Sequence, residues 1–191
     1  MKRIALSFTL IICLLLSAHS QKLTVNKVIQ GVPEDLSTAT LIVPRYDFMD
    51  IENLPDGAPP SLAVRFNKEA KKANTTIAGV ADKNYALKYK LASVSEVEAM
   101  KEEGYKYYMD MVLMPKGMKE PEKRAMVPSY DKYGAAHKMF NNRYTQFHYY
   151  FYIRDLETND AYITSKMKGN WDVYNCMRLF FKQVSRDATS E

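Results

Sequence analysis

The stretch YALKYKLASVSEVEAMKEEGYKYYMDMVLM, Tyr85 to Met114, decides the fold class. It opens with a period of two. Tyr85, Leu87, Tyr89 and Leu91 alternate with Ala86, Lys88, Lys90 and Ala92, which predicts a strand with one wet face. Ser95 then stands where an N-cap would, Glu96 and Glu98 fall in the first turn, and Gly104 follows the last. A short helix over 96–103 is expected. It delivers the chain into Tyr105–Met114, an apolar, aromatic strand. Strand, helix and strand in such quick succession are the repeating step of an α/β sheet.

The flanks extend that step. Upstream, Leu41-Ile42-Val43 within TLIVPRYDF (Thr40–Phe48) reads as a buried strand that ends at Pro44. A turn-rich loop follows, with Pro55, Asp56-Gly57 and Pro59-Pro60. Leu62, Phe66, Ala70, Ala73 and Ile77 then recur at helical spacing, predicting an amphipathic helix from Ser61 to just before Gly79. Downstream, residues 144–154 alternate again. Thr145, Phe147, Tyr149, Phe151 and Ile153 share one face; Gln146, His148, Tyr150, Tyr152 and Arg154 share the other. A turn over 155–160, with Asn159 in the left-handed conformation, returns the chain along 161–166 as a hairpin. An amphipathic helix from Trp171 to Arg186 closes the order, with Asn170 as its cap and Val173, Met177, Phe180, Phe181 and Val184 as its buried stripe. The expected fold is α/β: a mixed sheet of about five strands with helices packed on it.

Lys2 and Arg3, the apolar run Ile4–Leu16 and the small residues Ser17-Ala18-His19-Ser20 have the layout of a secretory signal peptide over residues 1–20. The apolar run is shorter than the ~20 residues needed to cross a bilayer. Residues 21–191 then make a single α/β domain, a length that suits one core. The whole chain carries 27 Lys and Arg against 22 Asp and Glu. Losing Lys2 and Arg3 leaves 25 against 22, too slight an excess to imply nucleic acid. With Cys13 in the leader, Cys176 stands alone on an apolar helix pattern, where a buried, inert thiol is expected. A secreted domain without disulfides fits a bacterial envelope better than a small disulfide-stapled scaffold.

Residues 115–143 show no sustained period and contain Pro115, Gly117, Pro121, Pro128 and Gly134. They carry Lys116, Lys119, Lys123, Arg124, Lys132, Lys138 and Arg143 against Glu120, Glu122 and Asp131, a local balance of +4 that leaves the rest of residues 21–191 close to neutral. Irregular segments of this length inside a domain are functional or merely solvated. The functional reading makes Lys116, Lys119, Lys123, Arg124 and Lys132 a docking site for an acidic protein or an anionic envelope polymer.

Catalytic signals are sparse. GxSxG, HExxH, P-loop and GxGxxG motifs are absent, which removes the readable hydrolase, metalloprotease and nucleotide-binding signatures. His137 and His148 lack ligand-spaced partners, so no metal site and no cofactor are expected. Met109, Met111, Met114 and Met118 read as soft core filling. Tyr144, His148, Tyr150 and Tyr152 line one face of a strand and have two readings: a platform for stacking sugars or peptides, or core with partnered hydroxyls if that face is covered.

The succession TLIVPRYDF, helix, alternating strand and short helix running into EEGYKYYMDMVLM resembles the amino-terminal domain of the TolB translocation protein and its periplasmic relatives. Among those relatives are the globular domain of the curli secretion channel and the lipoprotein activators of penicillin-binding proteins. The corner in FHYYFYIRDLETNDAYITS and the closing helix continue the resemblance over about residues 36–186, with the long basic segment as a departure. It implies an exported, non-enzymatic binding or assembly protein. The alternative is an envelope hydrolase acting on glycan or peptide, with His148 or His137 set beside a carboxylate by the fold.

Overall fold

The computed structural model describes residues 25–52, 54, 60–115, 147–164 and 172–190. The expected leader, nearly all of the basic segment, His137 and Tyr144 lie outside the described residues. The elements are β1 (Val28–Gln30), β2 (Leu41–Arg45), α1 (Pro60–Asn84), β3 (Tyr89–Ser93), a 3-10 turn (Val94–Glu96), α2 (Val97–Glu102), β4 (Tyr107–Pro115), β5 (Phe147–Asp155), β6 (Ala161–Ile163) and α3 (Val173–Ala188). The strands form one mixed sheet in the order β1-β6-β5-β4-β2-β3, so the α/β expectation holds, with six strands among the described residues. β2 runs parallel to both β3 and β4, β5 is antiparallel to β4 and β6, and β1 is parallel to β6.

Residue alternation explains how the layers form. Leu41, Val43, Tyr107, Met109, Phe151 and Ile153 face one side with Ala70, Ala73, Ile77 and Ala81 of α1 and Met177, Phe180 and Phe181 of α3. Ile42, Ala92 and Tyr108 face the other side, against Val97 and Met100 of α2. β5 is buried on both faces from Tyr149 through Arg154, as a strand clad on both sides must be. The Phe151 and Phe180 rings meet with centroids 6.0 Å apart. Each fully buried side chain of this kind contributes about 1.5–3 kcal/mol of hydrophobic stabilisation.

Several boundaries differ from expectation, each for a local reason. α1 runs through Gly79 to Asn84, because Ala81 extends the Ala70, Ala73, Ile77 stripe and the Asn84 amide donates to the Val80 carbonyl at 2.7 Å. Consequently Tyr85 closes the helix, its N–H donating to Ala81 O, and β3 begins only at Tyr89. Pro44 lies within β2, opposite Ala92. Lacking an N–H, it is tolerated there because the recorded β2–β4 pairing ends at Ile42 and Tyr108. The cap of the 94–102 turn and helix is Ser93, two residues before the expected Ser95; its N–H donates to Glu96 Oε2 at 2.7 Å. α3 is capped by Asp172 rather than Asn170, the carboxylate accepting from Tyr174 N and Asn175 N at 2.9 and 3.1 Å. β1, absent from the sequence-based expectation, is at three residues too short for period reading and lies at the sheet's edge.

Candidate functional site

β2 hands the chain to α1 on one face, and β3 hands it to α2 on the other. The point where connections diverge to opposite faces, at the carboxyl ends of parallel strands, is where ligands favour open α/β sheets. A polar cluster sits there. Arg45 Nη2 donates to Glu96 Oε1 at 2.8 Å, Ser93 Oγ and Ser95 Oγ are 2.8 Å apart, and Ser95 Oγ lies 3.3 Å from both oxygens of Asp47. The Ser93 backbone N–H and then Arg45 hold the Glu96 carboxyl below the usual carboxylate range. Chemically the cluster is a clasp between the residues after β2 and the turn after β3, since its members bond one another.

The clasp continues along α1. Asn74 accepts from Tyr46 N at 2.7 Å and donates to Tyr46 O at 3.0 Å; Asn67 does the same for Met49 at 2.7 and 2.9 Å. Seven helical residues advance about 10.5 Å, and three extended residues advance about 10 Å. The two amides therefore meet alternate points of an extended segment without strain in either element. Phe48 and Ile51 remain exposed beside it.

Between β4 and β5 lies a buried charged network. Asp110 faces Tyr152 across the strands, and Arg154 is two residues further along the same face. Asp110 Oδ2 accepts from Tyr152 OH at 2.8 Å, Arg154 Nε at 3.0 Å and Arg154 Nη2 at 2.8 Å. Arg154 Nη1 reaches Asn159 Oδ1 at 2.5 Å, and Asn159 takes the expected left-handed conformation (φ 57°). Burial first, and the Asp110 charge second, push the Tyr152 hydroxyl well above its ordinary pKa, so it stays a neutral donor.

Burial and hydrogen bonding place Tyr150 and Tyr152, two members of the tyrosine face, in the core. Tyr150 and Tyr152 are 1% and 0% exposed, and their hydroxyls serve Thr164 O and Asp110, which is core with partnered hydroxyls. Neither ring offers an open face to a ligand. His148, opposite Met114, is half-buried, and no described carboxylate hydrogen-bonds to it or pairs with it. Cys176 is buried, its thiol donating to Tyr149 O at 3.0 Å. Among the described residues no group of three His, Cys, Asp or Glu side chains could hold a metal ion.

At the amino ends of β2 and β4, an open pocket of about 390 Å³ is bounded by Asp35, Thr38, Thr40, Glu103, Tyr105 and Lys106. Lys106 Nζ donates to Asp35 Oδ2 at 2.7 Å, and Tyr107 OH donates to Asp35 Oδ1. These two donors, Lys106 first, hold the Asp35 carboxyl below its ordinary pKa. Lys90 Nζ stands 3.7 Å from Glu103 Oε2 and 4.8 Å from the centre of the Tyr105 ring.

Lys116, Lys119, Lys123, Arg124 and Lys132 lie outside the described residues. The frame around them is described: Pro115, the last residue of β4, is the cross-strand partner of Phe147, the first of β5. Sequence reading missed the Asp110–Arg154 pair. Its signal was a charge inside each of two apolar runs, Asp110 in YYMDMVLM and Arg154 in FHYYFYIR, since a charge inside such a strand needs a partner. Among the described residues no helix is long and apolar enough to cross a membrane. No protein-family model matches the chain, and comparison with curated proteins and with solved structures finds no significant match.

Proposed function

We propose that this chain is an exported, non-enzymatic protein of a bacterial cell envelope, and that it binds or helps to assemble a partner through its basic segment. The partner is an acidic protein or an anionic envelope polymer. One observation supports this most: the Pro115–Phe147 register means that the chain leaves β4 and re-enters β5 at adjacent points. The basic residues thus belong to an excursion whose two ends are anchored in one rigid strand pair. A nine-residue antiparallel pairing that includes a buried ion pair is a firm base for such an excursion. Lys116, Lys119, Lys123, Arg124 and Lys132 would steer the acidic surface, with neighbouring Tyr and Met side chains supplying apolar contact.

The test takes a partner captured from the organism's envelope fraction and measures its affinity at low and high salt. Charge-steered binding weakens as salt screens it over the ~8–10 Å Debye length. Replacing Lys119, Lys123 and Arg124 together by Ala is expected to weaken binding about tenfold or more, a loss of about 1.4 kcal/mol. Unchanged affinity in that variant, with no salt dependence in the parent, would sink the proposal.

A further inference from the structure

We infer that the pocket at the amino ends of β2 and β4 binds a neutral, polyhydroxylated small molecule, a saccharide ring in chemical class. The pocket residues lie at the opposite end of β4 from Pro115, and the inference does not depend on the reading of the basic segment. The pocket is an open depression, and its volume of about 390 Å³ falls in the ordinary range for small-molecule sites.

Its backbone corner and Asp35 are held before any ligand arrives. Asp35 is held by Lys106 and Tyr107 on β4's side, and Thr38 Oγ1 donates to Asp35 O at 3.0 Å. On the opposite wall Glu103 N, Gly104 N and Tyr105 N donate to Ala99, Lys101 and Met100 carbonyls at 3.0 Å each. Gly104 makes that corner with φ 92°, a conformation that side-chain-bearing residues rarely adopt. Walls that need no reordering on binding lose little entropy to the complex.

Charge selects the ligand class. Each carboxylate at the rim already has an ammonium beside it, Asp35 with Lys106 and Glu103 with Lys90. A ligand carboxylate seeking Lys106 meets Asp35 next to it, and a ligand amine seeking Glu103 meets Lys90. A hydroxyl has no such conflict, because it donates to a carboxylate oxygen and accepts from an ammonium at once. Lys106 has two further N–H donors beyond the one given to Asp35, the Glu103 carboxylate is exposed with only a long contact to Lys90, and Thr38 and Thr40 add hydroxyls. A rim that mixes ammonium, carboxylate and hydroxyl groups suits the hydroxyls of a sugar ring.

The experiment is saturation-transfer NMR on the purified protein, with glucose, galactose, mannose, N-acetylglucosamine and cellobiose as neutral probes. Glucuronate and glucosamine serve as charged counterparts of the same ring. At least one neutral sugar is expected to give a signal, with its charged counterparts weaker. In the ¹⁵N-labelled protein the same sugar is expected to shift the amides of Thr38, Thr40, Gly104 and Tyr105. The Glu103→Ala, Thr40→Val double variant is expected to raise the Kd about tenfold or more, the loss of one charge-assisted hydrogen bond. The wild-type amide shifts keep the test decisive if that variant fails to fold. Silence from every neutral probe, shifts located elsewhere, or preference for a charged probe would overturn the inference.

Discussion

Asp110 receives three donors on a single carboxylate oxygen while Arg154, at 2% exposure, has no water to fall back on. Removing one member of a buried pair leaves the other charged and stranded, which costs more than the pair is worth. Asp110→Ala is expected to lower the unfolding free energy by about 3–5 kcal/mol in urea denaturation. Replacing Asp110, Tyr152 and Arg154 together by Leu, Phe and Met should recover most of that loss, since the stranded charge is gone. The Asp35 and Glu96 carboxyls are partly exposed, and both titrate below their ordinary values. A carboxyl with a depressed folded pKa contributes stability that is complete above its unfolded value, about 4, and is lost as pH falls through the folded value. Denaturation midpoints should therefore decline below about pH 4, and Asp35→Asn should make that decline shallower. A steeper decline in the variant would contradict the assignment.

At the scale of elements, the two-turn spacing of Asn67 and Asn74 holds residues 46–49 against α1 through four hydrogen bonds to the backbone. Asn67→Ala and Asn74→Ala should each cost about 1–2 kcal/mol, and hydrogen exchange at the Met49 and Tyr46 amides respectively should quicken. Equal protection in parent and variant would mean that the segment is held by something else. Asp172→Ala should cost about 1 kcal/mol by uncapping α3. These devices were only partly legible. The apolar stripes of α1 and α3 showed in the sequence because burial demands a 3.6-residue period. Asn67 and Asn74 did not, because an amide that bonds a distant backbone has no local signature. Ser93 was passed over in favour of Ser95 for a similar reason: both are competent caps, and the choice depends on Ser95 finding Asp47 across the sheet end.

For the whole molecule, the sheet's centre is β5 and its nearest helix is α3, which packs on both β5 and α1. Cys176 lies at that junction. Its thiol should be unreactive toward a disulfide reagent in the native state and react only as the domain opens, so labelling should track global unfolding by circular dichroism. Fast labelling of native protein would show that the α3–β5 junction opens locally. The sequence by itself determined the α/β class, most strands and helices, the left-handed Asn159 corner and the buried stripes, because these follow from periodicity and turn chemistry within a few residues. Only the tertiary structure decided that Tyr150 and Tyr152 are core, that Asp110 answers Arg154, and that a pocket lies at one end of β2 and a polar clasp at the other. Those depend on strand order and register, which bring together residues dozens of positions apart and leave no periodic trace in the chain.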